Sequence, residues 1–339
     1  YRLHPRAIAS DQHPAYGSTQ LAQALSQRWQ LPWLRLQHHR AHVLAVVAEH
    51  GLNGPQLGVA WDGSGLGDDS TLWGGEALLV AAESASRVAH LRPFPLPGGS
   101  LALREPRRAA LGLLLAAWGV EWRRHAPALA EANGWAGWSA AELAGVERAA
   151  RAGLQTPQCS SIGRLLDGLA ALLGLAACSS YEAQAAQRLE GEAQRHWERH
   201  GPQQPARRYR LPLRPGPGGA AAHWDWRPLL RQVLHDQAAG HSTGAMALAI
   251  HRALAEGIAL LAQTHRCTQL VLAGGCFQNA LLLELSEAAL AAQGCRALWS
   301  QRLPSNDAAV AMGQLLAAEG LLKTTSAPWA PRHVSGSRR

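Results

Sequence analysis

The sequence predicts an α/β fold carrying a helical insertion, and three observations support that reading. Short apolar runs alternate with helix-spaced stretches up to about residue 100, the next hundred or so residues keep helical spacing in Ala/Leu-rich runs, and the alternation then returns. The chain has 339 residues, 47% hydrophobic and 17% charged, which is enough apolar material for one large domain or two packed ones.

In order, Ala7–Ala9 reads as a short strand and Ser18–Trp29 as a helix entered at a Ser/Thr cap signal. Trp33–Leu36 is a second strand and His39–His50 a second helix. Leu57–Trp61 is a third strand, ending in the Gly-rich turn Asp62-Gly63-Ser64-Gly65-Leu66-Gly67. Strands are expected over Thr71–Ala82 and Arg87–Leu91, before Pro93, Pro95, Pro97, Gly98 and Gly99 break the chain. Leu101–Trp118, Ala140–Ala152, Gly163–Leu173 and Glu182–Glu198 have helical period. Gly201–Ala222, rich in Pro, Gly and Arg, is expected as a long exposed connection. Ala245–Thr264 is a long helix, Gln269–Ala273 a buried strand, Leu281–Ala292 a helix, Ala297–Ser300 a strand and Ala308–Glu319 a closing helix. This divides the chain into a first α/β lobe (1–100), a helical insertion and connection (101–222), a second α/β lobe (223–322) and a disordered tail (323–339). No short internal repeat is present.

The 32 basic residues exceed the 24 acidic ones, giving a formal charge of +8, and Lys323 is the only lysine. The positive residues are scattered, without a basic block outside the tail, so a nucleic-acid partner is not expected. Five cysteines (Cys159, Cys178, Cys267, Cys276 and Cys295) form no C-x-x-C, which argues against a zinc ribbon and a disulfide framework and for reduced thiols in a cytoplasm. No apolar run is read as approaching the ~20 residues that span a bilayer, and no signal peptide or membrane partner is expected. The first residue is Tyr1 rather than Met, as in a fragment or a processed chain.

His38 and His42 are four apart at the start of a helix, a spacing that puts both imidazoles on one face, where they can share a metal. Surface histidines are the plain alternative in a chain with 16 of them. A zinc-protease site would need Glu directly after the first His as general base, and that position is His39. Asp62-Gly63-Ser64-Gly65 follows a strand and can form either an anion nest or a hairpin turn. Gly274-Gly275 can open a helix N-terminus toward a nucleotide, or form a tight strand–helix turn capped by Asn279. Asp307 can be a helix cap, or the carboxylate that completes a two-His, one-carboxylate metal site with open positions. Cys276 lacks a sequence-adjacent base and reads as a core thiol rather than a nucleophile.

These signals occur in a distinctive order. Gln37-His38-His39-Arg40-Ala41-His42, Asp62-Gly63-Ser64-Gly65-Leu66-Gly67, Trp73-Gly74-Gly75-Glu76, Phe94-Pro95-Leu96-Pro97-Gly98-Gly99 and Arg104-Glu105-Pro106 are similar to the C-terminal domain of HypF-type hydrogenase-maturation carbamoyltransferases. So are Ser160-Ser161-Ile162-Gly163-Arg164-Leu165-Leu166-Asp167, Ser180-Tyr181-Glu182-Ala183-Gln184-Ala185-Ala186, Asp225-Trp226-Arg227-Pro228-Leu229, Gly274-Gly275-Cys276-Phe277-Gln278-Asn279 and Pro304-Ser305-Asn306-Asp307. The resemblance covers about Ala9 to Gly320.

The resemblance implies an actin/hexokinase-like, two-lobed ATPase fold with a nucleotide in the cleft, lacking its first strands, which would precede Tyr1. It implies iron or zinc on His38, His42 and Asp307. It implies a catalytic loop at Asp62, Gly63, Ser64 and Gly65 holding the phosphate and carbamoyl end, and nucleotide contacts from Asp167, Glu182, Gly274, Gly275 and Asn279. The implied reaction moves a carbamoyl group from carbamoyl-adenylate, made from ATP and carbamoyl phosphate by upstream adenylate-forming modules, to the C-terminal cysteine of a HypE-type partner, as a precursor of the cyanide ligand of [NiFe] hydrogenase. The family has two glycines after the metal Asp where this chain has Ala308 and Ala309. Threonylcarbamoyl transfer to tRNA and a non-catalytic nucleotide-binding remnant are the alternatives.

Overall fold

The computed structural model describes residues 4–126, 137–201 and 208–324. The tail expected to be disordered lies outside the described residues from 325 onward.

A small parallel pair is formed by β1 (Ile8–Asp11) and β2 (Trp33–Leu36), joined by α1 (Gly17–Trp29). Helix α2 (His38–Glu49) follows directly, and Gln37 starts it by accepting the Arg40 amide on its side chain at 2.8 Å. The larger, mixed sheet contains β3 (Gln56–Leu66), β4 (Leu72–Val80), β5 (Ala85–Leu91), the short β6 (Phe94–Pro95) and β7 (Gln158–Cys159), β8 (Leu213–Arg214), β9 (Ala222–Trp224), β10 (Gln269–Ala273) and β11 (Arg296–Trp299). Its main path runs β11-β10-β3-β4-β5-β9-β8. Strands β11, β10 and β3 are parallel, β3, β4 and β5 antiparallel, and β9 is parallel to β5. The segments expected as separate lobes, 1–100 and 223–322, share this sheet, because β10 pairs directly with β3.

Alternation along the central strands explains the layers. Val59, Trp61, Leu270 and Leu272 face one core, while Ala60, Val271 and Ala273 face a second. The first core is covered by α3 (Pro106–Trp118), α4 (Ala140–Arg151), α5 (Ile162–Leu172), α6 (Gln184–His200), α7 (Arg227–Ala238), α8 (Thr243–Thr264) and α9 (Ala280–Ala291). The second is covered by α2 and α10 (Val310–Thr324). Both faces of the central strands β10 and β3 are therefore buried, as their parallel pairing requires. Deleting a large side chain here, as in Leu113→Ala, costs roughly 2–5 kcal/mol.

The expected elements form, with four differences. The Gly-rich segment after Trp61 is not a turn: β3 continues to Leu66, with a register shift between Trp61 and Gly65. The cause is β4, whose Leu72 and Trp73 pair with Leu66 and Gly65, so the chain reverses later, where Gly67 donates to Thr71. The connection expected as exposed contains β8, and its Tyr209 and Leu211 are buried. Helix α7, which sequence reading left unassigned, packs Leu229, Leu230 and Val233 into the first core. Finally, α8 is long and apolar enough to cross a membrane by length and composition, and 78% of its apolar window is buried inside the protein, as in a core helix.

Candidate functional site

The parallel strands β3 and β10 end at a cleft of about 610 Å³. Its lining includes Asp62 and Gly63 from β3, Arg164 and Asp167 from α5, Glu182 and Glu190 around the start of α6, Gly275, Cys276 and Asn279 after β10, and Asp307 and Ala308 before α10. A crevice beyond the carboxyl ends of parallel strands is where open α/β sheets bind ligands.

Asp62 and Asp307 of this cleft also belong to a group with His38 and His42 in which each residue presents one ligand-type atom, all within 4.8 Å of one another. The His38 and His42 Nε2 atoms are 3.1 Å apart, and Asp307 Oδ1 lies 3.4 and 3.3 Å from them. Asp62 Oδ2 lies 3.2 Å from His38 Nε2 and 3.6 Å from His42 Nε2. Donors bound tetrahedrally at the usual zinc–nitrogen and zinc–oxygen lengths sit about 3.3 Å apart, so the cluster has the spacing of a divalent-metal site. The close approach of α10 to α2 builds it. A Cβ on Gly313 would lie 1.9 Å from the Ala41 carbonyl oxygen, so only glycine lets the two helices cross there and bring Asp307 to the histidines.

The electrostatics suit a cation. Burial opposes a charge on His38, but hydrogen bonds to Asp11, Asp307 and Asp62 outweigh it and raise its pKa to about 12. Burial likewise opposes charge on His42, which is nevertheless raised by Asp307 and Asp62. Hydrogen bonds from His38 and His42 hold Asp307 well below the usual carboxylate range. Asp62 is also held low by both histidines despite its burial. His39, expected to point elsewhere, is buried outside the cluster, its Nδ1 meeting Gln37 Nε2 at 2.9 Å.

Asp62 and Gly63 line the cleft, while Ser64 and Gly65 do not; Gly65 instead backs onto the His38 and His39 rings. Asp62 Oδ1 accepts the Gly275 amide at 3.0 Å, tying β3 to the turn after β10. That turn opens a 3-10 segment, Gly275–Gln278, rather than an α-helix. Gly274 has φ +97° and its Cβ position lies 2.3 Å from the Trp61 carbonyl oxygen, so this close passage requires glycine. Asn279 caps α9, accepting the Leu282 amide at 2.8 Å, and still lines the cleft. Asp167 is buried and ion-paired with Arg164 at 2.9 Å; burial raises its pKa and Arg164 only partly offsets this. Arg164 Nε is buried without a partner beside the cleft, a donor a ligand could use. Glu182 sits exposed at the rim. Cys276 lines the cleft, but burial, and then Asp62, push its thiol well above the usual range, so it is not a thiolate nucleophile.

Sequence reading missed Asp62 as a member of the metal-type cluster. It also missed Asp11 behind His38, Tyr16, whose half-buried phenol feels the cluster's charges, and Glu190, which accepts the Ala280 amide at 2.8 Å. No sequence spacing connects these residues; only for Arg164 and Asp167, three apart on one helix face, could spacing have suggested the pair.

Residues 58–314 match the family described as carbamoyltransferase, Kae1-like domain, second subdomain, and residues 1–49 match the HypF Kae1-like domain. This chain belongs to the HypF carbamoyltransferase family. It is 37% identical over 326 residues to carbamoyltransferase HypF of Synechocystis sp., covering 94% of this chain and 40% of that protein. It is 38% identical over 317 residues to a carbamoyltransferase HypF homolog of Cupriavidus necator, covering 91% and 76% respectively. The crystal structure of full-length HypF in its phosphate- and nucleotide-bound form superposes with a TM-score of 0.84 at 29% identity, covering 97% of this chain and 40% of that one. The chain thus spans about two fifths of the length of full-length HypF proteins.

Proposed function

We propose that this chain is a carbamoyl-transfer domain, moving a carbamoyl group from carbamoyl-adenylate to the C-terminal cysteine of a HypE-type partner for cyanide-ligand synthesis in [NiFe] hydrogenase maturation. The observation that carries the reading is one cleft whose lining shares Asp62 and Asp307 with the His38–His42 cluster and also contains Asp167, Glu182 and Asn279. We read the fold as actin/hexokinase-like, with the nucleotide between its lobes and carbamoyl-adenylate supplied by upstream adenylate-forming modules in the cytoplasm.

In this reading His38, His42 and Asp307, with Asp62, would hold iron or zinc. Such an ion supplies Lewis-acid polarisation of the carbamoyl carbonyl. The chain's own residues do the rest. Asp62 anchors the Gly275 turn and so fixes the nucleotide-facing segment relative to the cluster. Asp167 and the free Arg164 Nε offer an acceptor and a donor to the ribose and phosphate end of the adenylate. Asn279 keeps one amide hydrogen for a ligand after bonding His251 and the Leu282 amide. Cys276 stays protonated, which leaves attack to the partner's thiol.

The test measures metal content and AMP binding by the purified chain against His38→Ala and Asp307→Ala. About one iron or zinc per chain, AMP binding, and loss of metal in both variants support transfer. A folded wild type with neither metal nor AMP defeats it and leaves a non-catalytic remnant.

A further inference from the structure

Asp11 ends β1, and its register partner on β2 is Leu36, two residues before His38 opens α2. The parallel pair thus delivers a carboxylate to the back of the first histidine of the cluster. Asp11 is only 4% exposed, and its Oδ2 lies 2.7 Å from His38 Nδ1. Its other oxygen accepts the His13 amide at 2.8 Å, so the carboxylate is held at both ends. His38 has two distinct ring nitrogens, and a strong acceptor on one decides which nitrogen keeps its proton. Nε2, on the opposite edge, faces His42, Asp62 and Asp307.

We propose that Asp11 is the positioning residue of the cluster: it holds the Nδ1 proton of His38, fixes the ring plane, and leaves Nε2 as the nitrogen offered to a divalent cation. This rests on the metal reading given above. It also gives the separate β1–β2 pair a task, since that sheet packs no side chain into the cleft lining yet sets the orientation of His38. A carboxylate behind a ligating histidine raises its basicity and removes its rotational freedom, and losing one weakens metal binding about 10–100-fold.

The experiment titrates zinc into the full chain against a chromophoric chelator, for wild type and for Asp11→Asn, Asp11→Ala, His38→Ala and Ser10→Ala. Ring-nitrogen NMR of His38 and thermal unfolding are recorded alongside. Ser10 is as buried as Asp11 and on the same strand, its hydroxyl bonded to Trp33 and to the Asp11 carbonyl but not to His38 or the Asp11 carboxylate, so Ser10→Ala controls for a merely structural effect. Both Asp11 variants are expected to raise the zinc dissociation constant about 10–100-fold and to shift the His38 nitrogen signals, with Ser10→Ala within about threefold of wild type. The role of Asp11 is overturned if wild type binds zinc and Asp11→Asn binds it equally, or if Ser10→Ala weakens binding as much. If wild type binds no zinc and His38→Ala changes nothing, the metal reading itself fails.

Discussion

Asp62 uses its two carboxylate oxygens on two different parts of the fold: Oδ1 accepts the Gly275 amide at 3.0 Å, and Oδ2 lies 3.2 Å from His38 Nε2. One buried side chain thus joins the helix carrying the histidines to the turn after β10. Asp62→Asn keeps the shape and removes the charge. It is expected to lower zinc or iron affinity at least about tenfold and to weaken AMP binding in the same preparation, since the Gly275 turn loses a charged acceptor. Calorimetric titration of each ligand checks this, and metal loss with unchanged AMP affinity would refute the coupling.

Ala308 lines the cleft one residue after Asp307. Its methyl is exposed to the cleft beside Asp307 of the metal-type cluster. Ala308→Gly is expected to tighten AMP about fivefold, as removing one crowding methyl gains on the order of 1 kcal/mol, while lowering stability by about 0.5–1 kcal/mol through backbone freedom. Affinity and thermal midpoint then move in opposite directions, and an unchanged dissociation constant removes the crowding argument.

The parts of the site that lie on regular elements were legible in the sequence. The four-residue spacing of His38 and His42 fixes a shared helix face whatever the rest of the fold does, and Asn279 as a cap follows from its place before an apolar helix. Spacing left Asp307 open between a helix cap and a metal ligand, because its approach depends on the α2–α10 crossing at Gly313. Asp11 left no signal, since its role arises from strand register across 27 positions to His38. The Gly-rich segment was misread as a turn because glycines favour reversals locally, whereas here β4 keeps the strand paired through Gly65 and Leu66. The α/β alternation itself was recovered because burial of both sheet faces imposes it on the sequence.

Glu76 is fully buried and bonded to Arg87 Nε and to the Ser160 hydroxyl, each at 2.5 Å. Burial raises its pKa, and the Arg87 charge opposes that rise. Arg87 also lies over the Trp73 ring and pairs with Asp69. Arg87→Ala would leave an uncompensated buried carboxylate and is expected to cost about 3–5 kcal/mol in denaturant unfolding. The double variant Arg87→Met with Glu76→Gln should recover at least about half of that loss, because no lone charge remains. The single variant's deficit should also shrink at acid pH, where Glu76 takes up a proton. A double variant as unstable as the single one would show that packing on Trp73, not charge, sets the effect.

His251 is fully buried between two partners: Nδ1 donates to the Ala247 carbonyl at 2.8 Å, and Nε2 accepts from the Asn279 amide at 2.9 Å. This pairing requires the neutral ring, since a proton on Nε2 would face another donor. Burial lowers the pKa to about 4, against about 6.5 in the unfolded chain. The unfolded state therefore binds the extra proton first as pH falls, so this contribution is complete above about pH 6.5 and is lost toward pH 4, roughly 3 kcal/mol in all. His251→Leu removes the titration but leaves the Asn279 amide unpaired, which costs about 1–3 kcal/mol at neutral pH. The variant is thus expected to be less stable than wild type at pH 7.5, with the gap closing toward pH 4. It should also bind AMP more weakly, because Asn279 is no longer held. Denaturant melts at several pH values decide this: stability curves that run parallel from pH 7.5 to pH 4.5 would mean that His251 titrates alike in the folded and unfolded chain.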